Sequence, residues 1–98
     1  MRIHYRVEAA DEVTAARRWY HKQNPDVAAA FQSALQHVEA LIAAHPNAFP
    51  IVHTSFRRVL LRRFPYAVYY RPFGVGDLEV VAVLHERQSW ATLDPRGR

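Results

Sequence analysis

Hydrophobic and polar positions change period along this chain, and each change marks an element. Residues 2–8 alternate, with Ile3, Tyr5 and Val7 on one side and Arg2, His4, Arg6 and Glu8 on the other. That period of two predicts a half-buried strand. From Ala9 the spacing turns helical, with Ala9, Val13, Ala16 and Tyr20 on one stripe. Asp11 and Glu12 fall early in this helix and Arg17, Arg18 and Lys22 late, as the helix dipole favours. Asn24-Pro25 then supplies an N-cap and a first-turn proline for a second helix. Val27, Phe31, Ala34, Leu35, Val38, Leu41 and Ile42 give that helix an unbroken apolar stripe, ending near Ala44 before His45-Pro46.

The next stretch, 45–54, holds two prolines and reads as a loop lying over the core through Phe49 and Ile51. Three strand-like runs follow, 56–63, 66–72 and 78–87. Phe64-Pro65 separates the first two, and Phe73-Gly74-Val75-Gly76-Asp77 is a hairpin turn with glycines available for positive φ. The polar tail 91–98 has room for one helical turn. The order is β-α-α-β-β-β, which predicts an α+β fold in one domain over 1–98. A helical hairpin covers one face of an antiparallel sheet completed by a C-terminal meander, and the other face is left open.

Strand parity assigns residues to faces. Tyr66, Val68 and Tyr70 share one side of their strand, Ala67, Tyr69 and Arg71 the other. In 78–87, Leu78, Val80, Ala82 and Leu84 oppose Glu79, Val81, Val83, His85 and Arg87. This parity gathers Tyr69, Arg71, His85 and Arg87 on the open side. In 56–63 both sides carry arginine, so parity decides nothing there.

Composition narrows the chemistry. The 98 residues contain no cysteine, which excludes disulfides, thiolate metal sites and a cysteine nucleophile. No run approaches the ~20 apolar residues of a membrane span, and the N-terminus lacks a signal-peptide core. A cytoplasmic protein is expected. The six histidines are scattered without metal-ligand spacing, and no phosphate loop, HExxH or catalytic-triad motif occurs, so neither a metal nor a cofactor is expected. The net charge is +4, and residues 1–50 are neutral, so the excess lies in 51–98. Arg57, Arg58, Arg62, Arg63 and Arg71 fall within fifteen residues that hold no acid. Planar guanidinium donors suit phosphate or carboxylate, so the cluster anticipates an anionic partner. A charged, aggregation-resistant sheet edge is the alternative. Tyrosines interleaved with these arginines suit base stacking in RNA, and equally a strand packing into a core. His85 could act as a general acid or base beside the charge of Arg87.

The element order, Arg57-Arg58-Val59-Leu60-Leu61, Phe64-Pro65-Tyr66-Ala67-Val68-Tyr69-Tyr70 and Val81-Ala82-Val83-Leu84-His85-Glu86-Arg87 together resemble the ParE/RelE superfamily. These are toxins of bacterial type II toxin–antitoxin modules, often called plasmid stabilization proteins. The resemblance spans nearly the whole chain and implies one of two activities. RelE-like members are ribosome-dependent endoribonucleases that cut mRNA, which here would use His85 and Arg87 as catalytic residues. ParE-like members inhibit DNA gyrase, with no hydrolysis by their own residues.

Either implies a cognate antitoxin as partner, with operator DNA reached only through it. Arg57, Arg58, Arg62, Arg63, Tyr69, Arg71 and Arg87 are the expected target- or antitoxin-binding residues. Arg87 matches one basic position of the nucleases and Arg58 another. Ala67 stands where they carry arginine and Leu93 where they carry tyrosine, so the ParE-like reading is preferred. A non-enzymatic binding module or an inactive toxin is the remaining alternative.

Overall fold

The computed structural model describes residues 2–88 and 90–97; Met1, Ser89 and the last residue of the tail, Arg98, lie outside them. The elements are β1 (Ile3–Tyr5), α1 (Val7–Gln23), α2 (Pro25–Ala44), β2 (Ile51–His53), β3 (Phe56–Leu60), β4 (Tyr66–Phe73) and β5 (Asp77–His85). Two 3-10 turns follow, Trp90–Thr92 and Asp94–Gly97. The sheet order is β1-β5-β4-β3-β2. The fold is α+β.

α2 forms as its sequence predicts. The Asn24 side chain accepts a hydrogen bond from the Asp26 N–H at 2.8 Å, and Pro25 occupies the first turn. Its stripe of Ala28, Phe31, Leu35, Val38 and Ile42 is buried against the sheet. α1 lies beside it, with Ala9 and Ala16 buried. Between helices and sheet, the rings of Tyr20, Phe31, Phe64 and Tyr66 form a cluster, with Tyr20–Phe64 at 5.0 Å and Phe31–Phe64 at 5.3 Å. Phe31 is fully buried there. Burial of one such side chain contributes about 1.5–3 kcal/mol before ring geometry is counted.

Several expectations need correction. The alternation in 2–8 is cut short at Tyr5, because Arg6 is the N-cap of α1 and its carbonyl accepts the first helical bond from Ala10. Val7 therefore starts the helix and is 73% exposed rather than sharing the buried side of Ile3 and Tyr5. The sheet is mixed, not antiparallel: β1 pairs with β5 in parallel, Ile3 opposite Leu78 and Tyr5 opposite Val80. The helical hairpin returns the chain to the far edge of the sheet, so β1 is free to border the last strand. The loop 45–54 also contributes a strand, β2, which is paired antiparallel with β3.

The largest correction concerns parity in β5. Tyr69 lies opposite Ala82 but Tyr70 lies opposite Val80, so Val81 is an extra residue, a β-bulge. It reverses the alternation downstream. Leu78, Val80 and Val83 join the core under the helices. Val81, Ala82 and Leu84 instead pack with Phe56, Ala67, Tyr69 and Leu93 in a second cluster on the other face.

That second face is not open. The tail crosses it, and Leu93 is fully buried in the cluster. β1 ends at Tyr5, leaving residues 81–83 of β5 without a neighbouring strand on that side. Side chains replace the missing ladder: the Val83 N–H donates to Glu12 Oε1 at 3.0 Å, and Arg96 donates to the Val81 carbonyl at 3.2 Å. Arg96 also grips Glu12 with both ends of its fork, at 3.0 and 3.1 Å. The Arg6 guanidinium donates to the Arg96 carbonyl at 2.7 Å. An ion pair this sheltered needs these extra bonds to offset its desolvation.

Candidate binding surface

β3 and β4 resolve what parity in 56–63 left open. Arg57 pairs with Tyr70 and Arg58 with Tyr69, so the two arginines leave opposite faces of the sheet. Arg57, on the helix side, donates to the carbonyls of Asn47 at 3.2 Å and Phe49 at 2.6 Å. The Tyr70 hydroxyl donates to the neighbouring Pro46 carbonyl at 2.7 Å. Together they pin the α2–β2 loop, which gives Arg57 a structural task. Burial raises the Tyr70 pKa, and the nearby Arg57 charge only partly opposes this.

On the tail-bearing face, Arg58 lies beside Tyr69 and Leu60 beside Ala67. A groove of about 220 Å³ opens there, walled by Arg58, Leu60, Tyr66, Tyr69, His85 and Glu86 among others. Leu60 is 65% exposed, an unusual state for a leucine on a strand next to a core. Tyr69 is buried at the groove's inner side. Arg71, on the same face, bonds Glu79 at 2.9 Å and lies 5.6 Å from the centre of the Phe56 ring.

His85 shares the groove lining with Tyr69, but its ring does not project from the same face of the sheet. The bulge turns His85 to the Tyr66 side, where the two rings meet edge-on at 5.2 Å. Its Nδ1 accepts the Arg87 backbone N–H at 3.1 Å. Arg87 is exposed in the turn after β5. Ala67 and Leu93, which stand where the nucleases carry arginine and tyrosine, are both buried apolar residues of the second cluster.

The remaining predicted residues cluster at one end of the sheet. Arg62 and Arg63 are exposed in the β3–β4 connection. The Glu86 N–H donates to the Pro65 carbonyl at 2.8 Å, which sets the turn carrying Arg87 against that connection. Thus Arg62, Arg63 and Arg87 come together, Arg58 lines the adjoining groove, and Arg57 and Arg71 are engaged elsewhere. Sequence reasoning missed Leu60 and the Glu12–Arg96 clamp. The exposure of Leu60 follows from the pairing of β3 with β4, which no local pattern records.

Among the described residues no cluster of histidine and carboxylate side chains suits a metal ion. Among the same residues no helix is long and apolar enough to cross a membrane.

Comparison with known proteins fits this architecture. A solved structure described as the chromosomal ParDE toxin–antitoxin system from P. aeruginosa superposes with a TM-score of 0.72, covering 87% of this chain and 95% of that one at 21% identity. At that identity the likeness establishes the fold. No curated protein matches the sequence. The family model described as ParE toxin of type II toxin–antitoxin system, parDE, matches residues 3–90. The chain belongs to the ParE toxin family.

Proposed function

We propose that this chain is the toxin of a type II toxin–antitoxin module that inhibits DNA gyrase in the bacterial cytoplasm and is silenced by a cognate antitoxin. The observation that carries the reading is the family match across residues 3–90. The geometry around His85 supports inhibition by binding rather than RNA cleavage. Its Nδ1 is already engaged by a backbone N–H, and the positions expected to supply a further arginine and a tyrosine are the buried Ala67 and Leu93.

The groove beside Arg58 is the seat for the antitoxin. Leu60 offers an exposed apolar contact and Arg58 a guanidinium fork within the same lining. A segment placing an apolar side chain next to a carboxylate fits that pairing, and a disordered acidic segment would order on binding.

Induced expression tests the reading. Growth should stop, with loss of negative supercoiling in a reporter plasmid, intact mRNA, and rescue by co-expressed antitoxin. Leu60→Asp should weaken that rescue while leaving the thermal melt cooperative. Codon-phased mRNA cuts with normal supercoiling would overturn the gyrase assignment. Full rescue of Leu60→Asp would remove the groove as the antitoxin seat.

A further inference from the structure

Basic side chains from separate stretches of the sequence gather at one pole of the fold. Tyr20, near the end of α1, meets Phe64 at 5.0 Å and Tyr66 at 6.3 Å, which sets the last turns of α1 over the β3–β4 connection. Tyr66 lies opposite His85, and the Glu86 N–H bonds the Pro65 carbonyl, which adds the turn after β5. This pole carries Arg17, Arg18, Lys22, Arg62, Arg63 and Arg87, all exposed, against three carboxylates, Asp26, Glu86 and Glu39, the last lining one groove with Arg17. Among the described residues the six other basic side chains are balanced by six acidic ones, so the excess of positive charge among them lies at the pole.

Pairing separates the pole as sharply as charge does. The ion pairs His4–Asp77, Arg6–Glu8, His53–Asp94, Arg71–Glu79 and Arg96–Glu12 all lie elsewhere. Among the described residues none of the six polar cations forms one. One of them is also held against its backbone preference. Arg63 has φ of 67°, a left-handed conformation that glycine adopts freely and a β-carbon resists. Among the described residues the Arg63 side chain makes no hydrogen bond or ion pair, so no internal contact offsets that strain.

We propose that this pole binds the phosphodiester backbone of nucleic acid directly, without sequence specificity, as a second contact of the toxin beyond its protein partners. Five of the six cations are arginines, whose planar forks match phosphate oxygens in pairs. They come from three separate segments set together at one end of the fold, a spread that suits a rod of evenly spaced phosphates better than one short acidic peptide. The inference concerns a different surface from the Arg58 groove and requires no gyrase.

Fluorescence anisotropy of the purified chain with a labelled 20-base-pair DNA duplex tests it, with single-stranded RNA and poly-L-glutamate as parallel probes. For the duplex, log K should fall linearly with log salt concentration, by up to about 0.9 per phosphate contacted. Arg62→Glu/Arg63→Glu should weaken duplex binding at least tenfold and flatten the salt slope. Arg63→Gly should weaken it severalfold while keeping the fold. Arg2→Glu, at the opposite pole, should change it less than twofold, and circular dichroism should show all variants folded. RNA binding as tight as the duplex marks recognition of the backbone alone, and weaker RNA binding marks a preference for the B-form duplex. Tighter binding of poly-L-glutamate than of either nucleic acid, or equal losses in Arg2→Glu and the pole variants, would overturn the proposal. Because gyrase is absent, its outcome is independent of the target assignment.

Discussion

Two populations of arginine divide this molecule. Arg6, Arg57, Arg71 and Arg96 donate to carboxylates or backbone carbonyls of the same chain at 2.6–3.2 Å. Arg17, Arg18, Arg62, Arg63 and Arg87 lie exposed at one pole, and among the described residues none of them forms an ion pair. The first population does work that the small sheet cannot do with backbone bonds alone. It finishes the bulged edge of β5, ties the tail across the second face and holds the α2–β2 loop. The second makes no such bond among the described residues, and Arg63 takes a left-handed φ besides. A charged side chain that contributes nothing internally is available to a partner, and that difference is invisible in a count of thirteen basic residues.

Mutations can break or sharpen the division. Glu12→Ala should cost about 3 kcal/mol in chemical denaturation, because it strands the Arg96 guanidinium, which is 11% exposed, and leaves the Val83 N–H without its acceptor. A loss under about 1 kcal/mol would mean that the tail is not clamped as described. Arg57→Ala should cost about 2 kcal/mol by releasing the carbonyls of Asn47 and Phe49. Arg63→Gly should move in the opposite direction, stabilising the protein by about 0.5–1 kcal/mol as the left-handed strain is relieved. Arg87→Ala should stay within about 0.5 kcal/mol of the parent, as expected of an exposed side chain away from the core. If Arg87→Ala proved as costly as Arg57→Ala, the two populations would merge.

The alkaline limb of stability offers a further check on the packed half. Burial, then the hydrogen bond and charge of Glu39, raise the Tyr5 pKa well above its usual 10, with the hydroxyl 2.8 Å from the carboxylate. Burial also raises Tyr20, Tyr66 and Tyr70. Above pH 10 the unfolded tyrosines ionise while the folded ones keep their protons, so stability present below that pH is lost as pH rises. Tyr5→Phe should shallow this loss, measured as the change in melting temperature between pH 8 and pH 10.5. At the acid side, Asp77 is held low by the Arg2 backbone N–H and then by His4, so its contribution disappears as pH falls through the acid range.

How much of this was legible in the sequence depended on the range of the interaction. α2 could be read residue by residue, because Asn24, Pro25 and the Val27-to-Ile42 stripe are local signals. The hairpin at Gly74 and Gly76 was equally plain, and both take positive φ. β2 was hidden because three residues beside two prolines carry no detectable period. The parallel border of β1 with β5 joins residues about 75 apart, which no local pattern encodes.

Val81 did most of the damage at the candidate surface. An extra residue within an apolar run leaves no mark on composition, yet it turned Ala82 and Leu84 to the tail side and His85 toward Tyr66. Of the expected gathering of Tyr69, Arg71, His85 and Arg87, the groove keeps Tyr69 and His85, while Arg71 is bonded to Glu79 and Arg87 lies in the turn after β5. The arginine-rich stretch was legible as a stretch. Its division into a loop tether, a groove wall and an exposed pole required the pairing of β3 with β4. The contributions of Arg17, Arg18 and Lys22 to the pole are hidden in the sequence because five acidic residues make 1–50 neutral as a whole.

The most direct test of the toxin assignment is an assay of DNA supercoiling by purified gyrase with the purified chain added, run beside a translation extract carrying a reporter mRNA. The account predicts dose-dependent loss of supercoiling, relieved by the antitoxin, while the reporter mRNA stays whole. Full supercoiling alongside ribosome-dependent cleavage of the mRNA would contradict it.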